Sequence, residues 1–353
     1  MAQPGLPSDA RPTIEDVARA AGVSTSSARN YFSRPAVLSA GTHARIEQAV
    51  RATGYVPRGS VGRLGRRQLG RLAFEMPRAE DPGVNPFYSQ LLLALLWAAW
   101  SGGYHLHPFV TDKEPGSRVP FYRRLWARRQ VGGFVLTDAG YDDERVPWLL
   151  DNGVPFVLLS RLREEHGYCW VDNDNVGGSV TAVGHLVEGG HRRIAYLGWP
   201  AGDPVADRRL EGYRRAVGAA GLPELVERQD YGEPALDQAG RLLRRPEDER
   251  PTAVVASCDE FAYDVMRAAA RLGLEVGGGA GPRRVAVVGC DDSPMAARTV
   301  PTLTTLRQPV KLLAERAVDM LAAKIRNPRF EAHALERPEL IVRESTSVEV
   351  VRG

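Results

Sequence analysis

The chain has 353 residues, and its 43% hydrophobic and 25% charged residues are the proportions of a globular protein of two or three domains rather than of a disordered chain. Its three scattered cysteines exclude a disulfide framework and a Cys-x-x-Cys metal site. The first residues lack the apolar run of a secretory signal, and no apolar stretch reaches the ~20 residues that span a bilayer. We therefore expect a cytoplasmic protein that contacts no membrane and needs no metal or cofactor.

The net charge of +3 is unevenly distributed along the chain. Residues 1–71 contain eleven arginines and four acidic residues, a local charge of +7, which leaves −4 for residues 72–353. A small basic head on an acidic body is typical of a protein whose head binds a polyanion, although a solvated charged surface would give the same count.

Residues 1–11 show no periodicity and are interpreted as a loose tail, and three short helices are predicted after them. Thr13 is placed to cap the first helix, Ser24 the second, and Thr42 to open the third, which ends near Gly54. Two helices joined by a turn containing glycine, with a third helix closing the core, form a helix-turn-helix unit. We assign this unit to residues 12–57.

Residues 58–69 differ from the helical unit in composition, since they combine four arginines with three glycines. Each glycine costs a helix about 1 kcal/mol relative to alanine. The segment is therefore predicted to be a basic linker that resembles a hinge.

From residue 70 onward, short apolar runs alternate with helical patterns. The predicted strands are 72–74, 105–110, 133–136, 156–159, 194–197, 253–256 and 285–288. Helical patterns lie between most of them, for example at 179–188 and 209–220. This alternation predicts an α/β core of two doubly wound parallel sheets covered by helices, preceded by the small all-α head.

The helix-turn-helix segment is similar to the DNA-binding head of the LacI/GalR family of bacterial transcriptional regulators. The matching motifs are T-I-x-D-V-A at 13–18, A-G-V-S at 21–24, Ser39 with Thr42, and G-Y-x-P at 54–57. The resemblance continues through the core in N-P-F at 85–87, G-H-R-R-I at 190–194, V-G-C-D-D at 288–292 and T-T-L-R-Q at 304–308.

The resemblance implies a DNA-binding head, a hinge helix and a periplasmic-binding-protein-like core of two lobes. One lobe would comprise 70–163 and 307–335, and the other 164–306 and 336–353. Members of the family dimerise and bind a small molecule, often a sugar or a nucleoside, in the cleft between the lobes.

The second helix of the head is the expected recognition helix, whose N-terminal side chains reach base edges and phosphates in the major groove. The residues expected to contact DNA there are Ser24, Thr25, Ser26, Ser27, Arg29 and Asn30. Their alternative role is a polar solvated helix face. Arg29 and Asn30 stand where the family has serine and arginine, and Tyr31 and Phe32 replace small aliphatics, so the operator sequence does not follow from the resemblance.

Leu64 falls where the hinge helix of the family carries a leucine that wedges into the minor groove at the centre of the operator. The alternative for this side chain is incidental packing on the core.

The resemblance also selects candidate effector contacts in the core. Arg209 matches a family arginine suited to bidentate donation, and Asp291 matches an aspartate at a strand end that accepts from hydroxyls. Phe87 and Tyr88 are expected to stack on a ring. Weaker candidates are Asp138, Arg161, Asp259 and Gln308. The alternatives are an ion pair for Arg209, a helix cap for Asp291 and core packing for Phe87.

The helix beginning near residue 90 is apolar almost all round its circumference, with the sequence QLLLALLWAAW. Helices of this kind are normally buried, so we expect this helix at the interface of a homodimer. A dimer presents two heads, which matches a palindromic operator on double-stranded DNA.

These features favour a DNA-binding regulator, most simply a repressor whose operator affinity is changed by the effector. A ligand that acts as a corepressor, or an activator role, stays open. A transporter solute-binding protein is disfavoured by the basic head. An enzyme is disfavoured because no coherent set of nucleophile, base and metal ligands is present.

Overall fold

A computed structural model describes residues 12–33, 35–55, 70–76, 86–111, 116–163, 167–230 and 233–347. The predicted tail at 1–11 and the predicted linker at 58–69 with Leu64 lie outside the described residues. The chain divides into two compact units. The first comprises Met1–Arg78, Leu91–Asp172 and Lys311–Ala334, and the second comprises Ala79–Gln90, Asn173–Val310 and Leu335–Gly353.

Eleven α-helices are present among the described residues. They are α1 (Ile14–Ala21), α2 (Thr25–Ser33), α3 (Ala40–Thr53), α4 (Pro86–Ser101), α5 (Arg118–Ala127), α6 (Arg145–Asp151), α7 (Asn175–Glu188), α8 (Pro204–Ala219), α9 (Leu236–Leu243), α10 (Asp259–Arg271) and α11 (Val310–Arg326). None of these described helices is long and apolar enough to cross a membrane.

The described strands number thirteen. They are β1 (Arg71–Glu75), β2 (His105–Phe109), β3 (Gly133–Leu136), β4 (Phe156–Leu159), β5 (Cys169–Asn173), β6 (Ile194–Gly198), β7 (Leu225–Arg228), β8 (Ala253–Ala256), β9 (Glu275–Val276), β10 (Arg284–Cys290), β11 (Thr304–Arg307), β12 (His333–Glu336) and β13 (Glu339–Ile341).

Side-chain caps define the three helices of the head. Thr13 and Asp16 form a reciprocal capping box at the start of α1, and Gly22 ends the helix in the left-handed conformation at φ 62°. The third helix begins at Ala40 and not at Thr42 as predicted, because Ser39 supplies the cap by accepting the Thr42 N–H at 3.3 Å. Apolar side chains from all three helices are buried and form the core of the head: Val17, Ala18, Ala28, Tyr31, Ile46, Ala49 and Val50.

The first unit contains a six-stranded sheet in the order β12-β5-β4-β3-β1-β2. Adjacent strands from β5 to β2 pair in parallel. Such sheets are buried on both faces, which is why β3 and β4 are nearly continuous apolar runs that the sequence reveals.

The second unit contains a sheet in the order β13-β11-β10-β8-β6-β7, with β9 paired to β10. Its strands are parallel except for β13, which runs antiparallel to β11. Helices α7 and α8 pack so closely that a Cβ at Gly212 would lie 2.3 Å from the Val176 carbonyl oxygen. Only glycine permits this approach, and it brings Arg209, one turn earlier on α8, against α7.

Strand β5 pairs in parallel with β4 and so belongs to the first sheet, and the first compact unit extends to Asp172. The second unit consists of Ala79–Gln90, Asn173–Val310 and Leu335–Gly353. The lobe bounds given above from the sequence stay a prediction.

Candidate DNA interface and effector site

The N-terminal side chains of α2 lie on its accessible face, as a DNA-reading helix requires. Ser24 caps the helix by accepting the Ser27 N–H at 3.0 Å, and the two hydroxyls lie 2.9 Å apart. Thr25 and Asn30 are half-buried, whereas Ser26 and Arg29 are exposed. This face therefore combines hydroxyl, amide and guanidinium groups, which serve both phosphate and base-edge contacts.

Arg29 lies near one acidic side chain of the head. Its Nη2 atom is 3.5 Å from Glu15 Oε1, and both side chains are more than half exposed. An ion pair between exposed side chains contributes little stability.

The aromatic residues at the end of α2 connect the head to the first lobe. Phe32 is almost fully buried, and its ring packs edge-on against Phe330 with centroids 5.8 Å apart. Arg316 Nη1 on α11 donates to the Gly54 carbonyl at 3.1 Å, and Arg51 lies 3.9 Å from Glu331. This docking contact explains the departure from small aliphatics at the end of α2, which the sequence alone left unexplained.

Arg209 is the centre of a polar site in the second unit. Its side chain is buried, with Nε donating to Asn175 Oδ1 at 2.9 Å and Nη1 donating to the Ser257 carbonyl. The guanidinium carbon lies 5.2 Å from the centre of the Trp199 ring. Within the described part of the chain no carboxylate lies at ion-pair distance from Arg209, so its positive charge is held by neutral acceptors and an aromatic face.

Asp291 supplies the acceptor side of this site at the carboxyl end of β10. One carboxylate oxygen accepts from the Gln308 amide, whose own oxygen accepts from Asn173 Nδ2 at 3.2 Å. The other oxygen, Oδ2, is buried and has no hydrogen-bond partner. Burial raises the pKa of Asp291 to about 8, with the nearby Arg209 acting in the opposite direction.

Further buried polar atoms beside Arg209 have no hydrogen-bond partner. They are Asn173 Oδ1, Ser257 Oγ and Tyr196 OH. A small cavity lined by these three residues and Arg209 has room for about one water molecule. Because buried polar groups are nearly always satisfied, this group of atoms marks a place where a polar ligand or water completes the bonding.

Asp259, another expected effector contact, has a structural role in this site. Its Oδ2 accepts from the Ser293 N–H at 2.7 Å, and its Oδ1 accepts from the Thr305 hydroxyl at 2.6 Å. A Cβ at Gly289 would lie 2.3 Å from the same carboxylate. Asp259 therefore connects α10 to the strand ends, and its contact with an effector stays a prediction. Burial raises its pKa to about 6.

The candidates in the first unit lie at the carboxyl ends of its strands, where ligands of open α/β sheets bind. Asp138 follows β3, is exposed and adopts a left-handed φ of 53°. Arg161 follows β4, pairs with Asp172 at 3.2 Å and lies over the Trp170 ring.

Phe87 and Tyr88 lie in the first turn of α4, and both are half-buried. Their rings meet edge-on, with centroids 5.4 Å apart.

A buried charged network at this end of the first sheet was not predicted. Glu75, the last residue of β1, lies 2.6 Å from Arg145 Nη1 and accepts from Tyr122 and Arg118. Burial alone would raise the pKa of Glu75, but the Arg145 guanidinium and the hydrogen bonds hold it below its ordinary value. The one available signal was a glutamate directly after the apolar run at 72–74 of β1.

Comparisons with known proteins agree with this architecture. Residues 13–58 match the family of bacterial regulatory proteins, lacI family, and residues 183–346 match a periplasmic binding protein-like domain. The HTH-type transcriptional regulator CelR of Thermobifida fusca is 31% identical over 95% of this chain and 98% of its own length. The chain belongs to the LacI family of bacterial transcriptional regulators.

Other relatives of this LacI-family chain span the same length. The ribose operon repressor of Escherichia coli is 30% identical over 94% of this chain and 98% of its own. The structure of a CelR-cellobiose complex superposes with a TM-score of 0.69 at 28% identity, and the match covers 95% of this chain and 100% of the other. A regulatory protein of the LacI family from Chloroflexus aggregans gives 0.72 at 32% identity, covering 78% and 98%.

Membership confirms the expected fold class and function class. The chain is a DNA-binding transcriptional regulator and not an enzyme, with a helix-turn-helix head followed by a periplasmic-binding-protein-like core.

Proposed function

We propose that this regulator is a homodimeric repressor whose affinity for a palindromic operator changes when its core binds a sugar, with a nucleoside as the second candidate. The observation that carries the proposal is the polar site around Arg209 and Asp291. It contains a buried guanidinium without a carboxylate partner and a buried carboxylate oxygen without a donor. A ligand with several hydroxyls offers acceptors to the first and donors to the second.

The relatives support a carbohydrate. One is described as a CelR-cellobiose complex, and others as ribose operon repressors. A structure of a LacI-type regulator from Alkaliphilus metalliredigens contains D-xylulofuranose, and at 22% identity it supports the fold alone. Among the residues expected to contact the effector, we place Arg209, Asp291 and Gln308 first, with Phe87, Tyr88, Asp138, Arg161 and Asp259 as secondary contacts.

The dimer is supported by the unpartnered face of α4. Leu91, Leu95 and Ala99 of this helix are buried in one protomer, whereas Trp97 and Trp100 are 67% and 69% exposed. The helix is therefore not buried on all sides in the single chain, and its outer apolar face is the surface that a second copy covers. A dimer presents two recognition helices to two half-sites. Because the operator is genomic, we also propose a cytoplasmic location.

Selection of DNA from a random duplex library by the purified protein tests the DNA-binding part of the proposal. We expect an enriched palindrome with two half-sites. Binding that is equally tight on every sequence would contradict a sequence-specific repressor.

A thermal-shift screen of mono- and disaccharides and nucleosides then tests the ligand class. We expect a member of the sugar set to raise the unfolding midpoint, since a ligand that binds only the folded state stabilises it. A response to nucleosides alone would reverse our order of candidates. Titration of the selected operator with the responding compound gives the sign of its effect and so separates inducer from corepressor.

A further inference from the structure

Four exposed arginines lie at the edge of the first sheet where its parallel strands begin. Arg71 is the first residue of β1, Arg128 and Arg129 lie between α5 and the start of β3, and Arg329 lies between α11 and the start of β12. The Gly132 N–H donates to the Arg71 carbonyl at 2.8 Å, which places the turn after α5 beside the start of β1. We call these four residues the basic edge.

The basic edge has little acidic compensation. Among the described residues, no carboxylate forms an ion pair with Arg71, Arg128, Arg129 or Arg329. Within the described ranges, the acidic side chains next to these strand starts are Asp151, at the end of α6, and Glu331, which lies close to Arg51 and His333. The edge therefore presents a net positive surface to solvent.

Arg129 occupies a backbone position that favours glycine. It has a φ of 53°, and the flanking hydrogen bonds, Gln130 N–H to the Leu125 carbonyl and Arg129 N–H to the Trp126 carbonyl, form a Schellman motif. A long charged side chain at a left-handed position carries a strain that glycine would avoid. The Arg129 side chain is exposed and, in the described part of the chain, has no carboxylate partner, so its guanidinium is accessible to an anion in solution.

The basic edge is also the edge to which the DNA-binding head is attached. Arg71 follows Gly70 directly, and the preceding residues 58–69 contribute four more arginines in the sequence. Phe330, which packs against Phe32 of the recognition helix, is the immediate neighbour of Arg329. Strand spacing places β12 about 19 Å from β1, since four steps of about 4.8 Å separate them. The head is therefore attached beside an edge that offers cations over this span.

We propose that the basic edge of the first lobe binds backbone phosphates of the operator, independently of base sequence, in addition to the contacts made by the head. The inference rests on the proposed operator binding. Double-stranded DNA carries one negative charge per about 1.7 Å of axis, so several arginines spread over the edge find phosphate partners without a fixed register. Guanidinium groups suit this contact because they donate bidentately to phosphate oxygens.

The test is the salt dependence of operator binding by the full-length dimer, measured by fluorescence anisotropy with the selected operator. For wild-type protein and the double variant Arg128→Ala, Arg129→Ala, the logarithm of affinity is plotted against the logarithm of salt concentration. Each lost phosphate contact makes the slope shallower by about 0.9, so we expect a change of about 1.8 for each protomer. A non-operator duplex should show the same change in slope.

Two further variants separate a DNA contact from a structural effect. Arg129→Gly should raise the midpoint of thermal unfolding, because glycine adopts the left-handed conformation without strain, while it still makes the slope shallower by about 0.9 for each protomer. Arg298→Ala removes an exposed arginine of the second unit and should leave the slope unchanged.

An unchanged slope in the double variant, with wild-type protein binding its operator in a salt-dependent manner, would overturn this inference alone. An equal change in slope for Arg298→Ala would overturn it too, since the effect would then reflect net charge. Failure of the wild-type protein to prefer any duplex would instead overturn the proposed function.

Discussion

Arg209 and Asp291 lie close enough to interact electrostatically, yet neither has the full set of partners that a buried charge normally has. Removing a buried carboxylate from water costs several kcal/mol unless hydrogen bonds or a nearby cation replace the lost hydration. Gln308 satisfies one oxygen of Asp291 and leaves the other open. The site therefore retains polar groups at a cost in stability, as binding sites do.

The raised pKa of Asp291 predicts a pH dependence of stability. Its pKa is raised from an ordinary value of 3.8 to about 8 because burial disfavours the charged form, so the folded protein holds this proton more tightly than the unfolded chain. Between about pH 4 and pH 8 the free energy of unfolding should therefore fall as pH rises, by up to about 1.4 kcal/mol per pH unit.

Chemical unfolding at pH 5, 6.5 and 8 measures this dependence. In Asp291→Asn the decline should be clearly smaller, with Asp259, whose pKa burial raises to about 6, responsible for a remainder at the acid end. Parallel curves for the wild-type protein and the variant would show that Asp291 is ionised throughout.

Arg209 should be required for the effector and not for the fold of the head. Arg209→Lys keeps the charge but loses the planar fork, so we expect at least tenfold weaker binding of the responding sugar, with operator affinity in its absence unchanged within about twofold. Isothermal titration and anisotropy measure the two quantities. Arg215→Lys on the exposed face of the same helix is the matched control, and an effector affinity equal in both variants would remove Arg209 from the site.

At the scale of elements, one face of α4 is buried in the first lobe and the opposite face is apolar but exposed to solvent. Leu91 and Leu95 are fully buried, whereas the outer face carries Leu93 and the Trp97–Trp100 pair, whose rings meet edge-on at 5.6 Å. An exposed apolar patch of this size on a single chain is typical of a protein interface.

Trp97→Glu should convert the dimer to a monomer, because it places a charge in the apolar face that the second copy covers. Sedimentation velocity at micromolar concentration measures the change, and operator affinity should fall with it. Leu150→Glu, at a 42% exposed leucine of α6, is the control and should remain dimeric. A dimeric Trp97→Glu protein would locate the interface elsewhere.

The head is docked on the first lobe through α2, which is also the expected DNA recognition helix. Arg316→Ala removes the hydrogen bond to the Gly54 carbonyl and should loosen the head without altering the lobe. Hydrogen exchange should become faster at amides of α2 and α3 and stay unchanged at β3 and β4. Equal protection of the head in both proteins would show that this contact does not hold it.

Whether the sequence predicts a strand depends on whether that strand is a continuous apolar run. All seven predicted strands are present, because each is an apolar run long enough to recognise. β5 was missed because Asp172 and Asn173 interrupt its apolar pattern, and β11 because it begins with two buried threonines, Thr304 and Thr305. Asp172, Thr304 and Thr305 form hydrogen bonds with tertiary partners, which a local sequence pattern does not contain.

The same distinction applies to the sites. Arg209 and Asp291 were each predicted from a short motif whose residues are contiguous in the sequence, and their contact with an effector stays a prediction. The pairing of Glu75 with Arg145 joins residues seventy positions apart, and the contact of Phe32 with Phe330 joins residues near opposite ends of the chain. Neither pairing leaves a local trace. The structural role of Asp259 was not predicted for a related reason, since its hydrogen bonds to Ser293 and Thr305 exist only once the strands are assembled.

At the scale of the whole molecule, the chain combines a head that binds DNA, a first lobe that carries the head and the proposed dimer face, and a second lobe that contains the polar site. A ligand changes operator affinity only if it binds the two states of the protein with different affinity. Regulation therefore depends on coupling between the polar site and the head, and binding at either one alone does not establish it.

The most direct test of this coupling is the affinity of the wild-type dimer for its selected operator, measured at one fixed salt concentration with and without the sugar that stabilises the protein. We predict a change of at least fivefold, the lower end of typical allosteric coupling. A sugar that raises the unfolding midpoint and saturates the protein, yet leaves operator affinity unchanged, would contradict the account of this protein as an effector-controlled repressor.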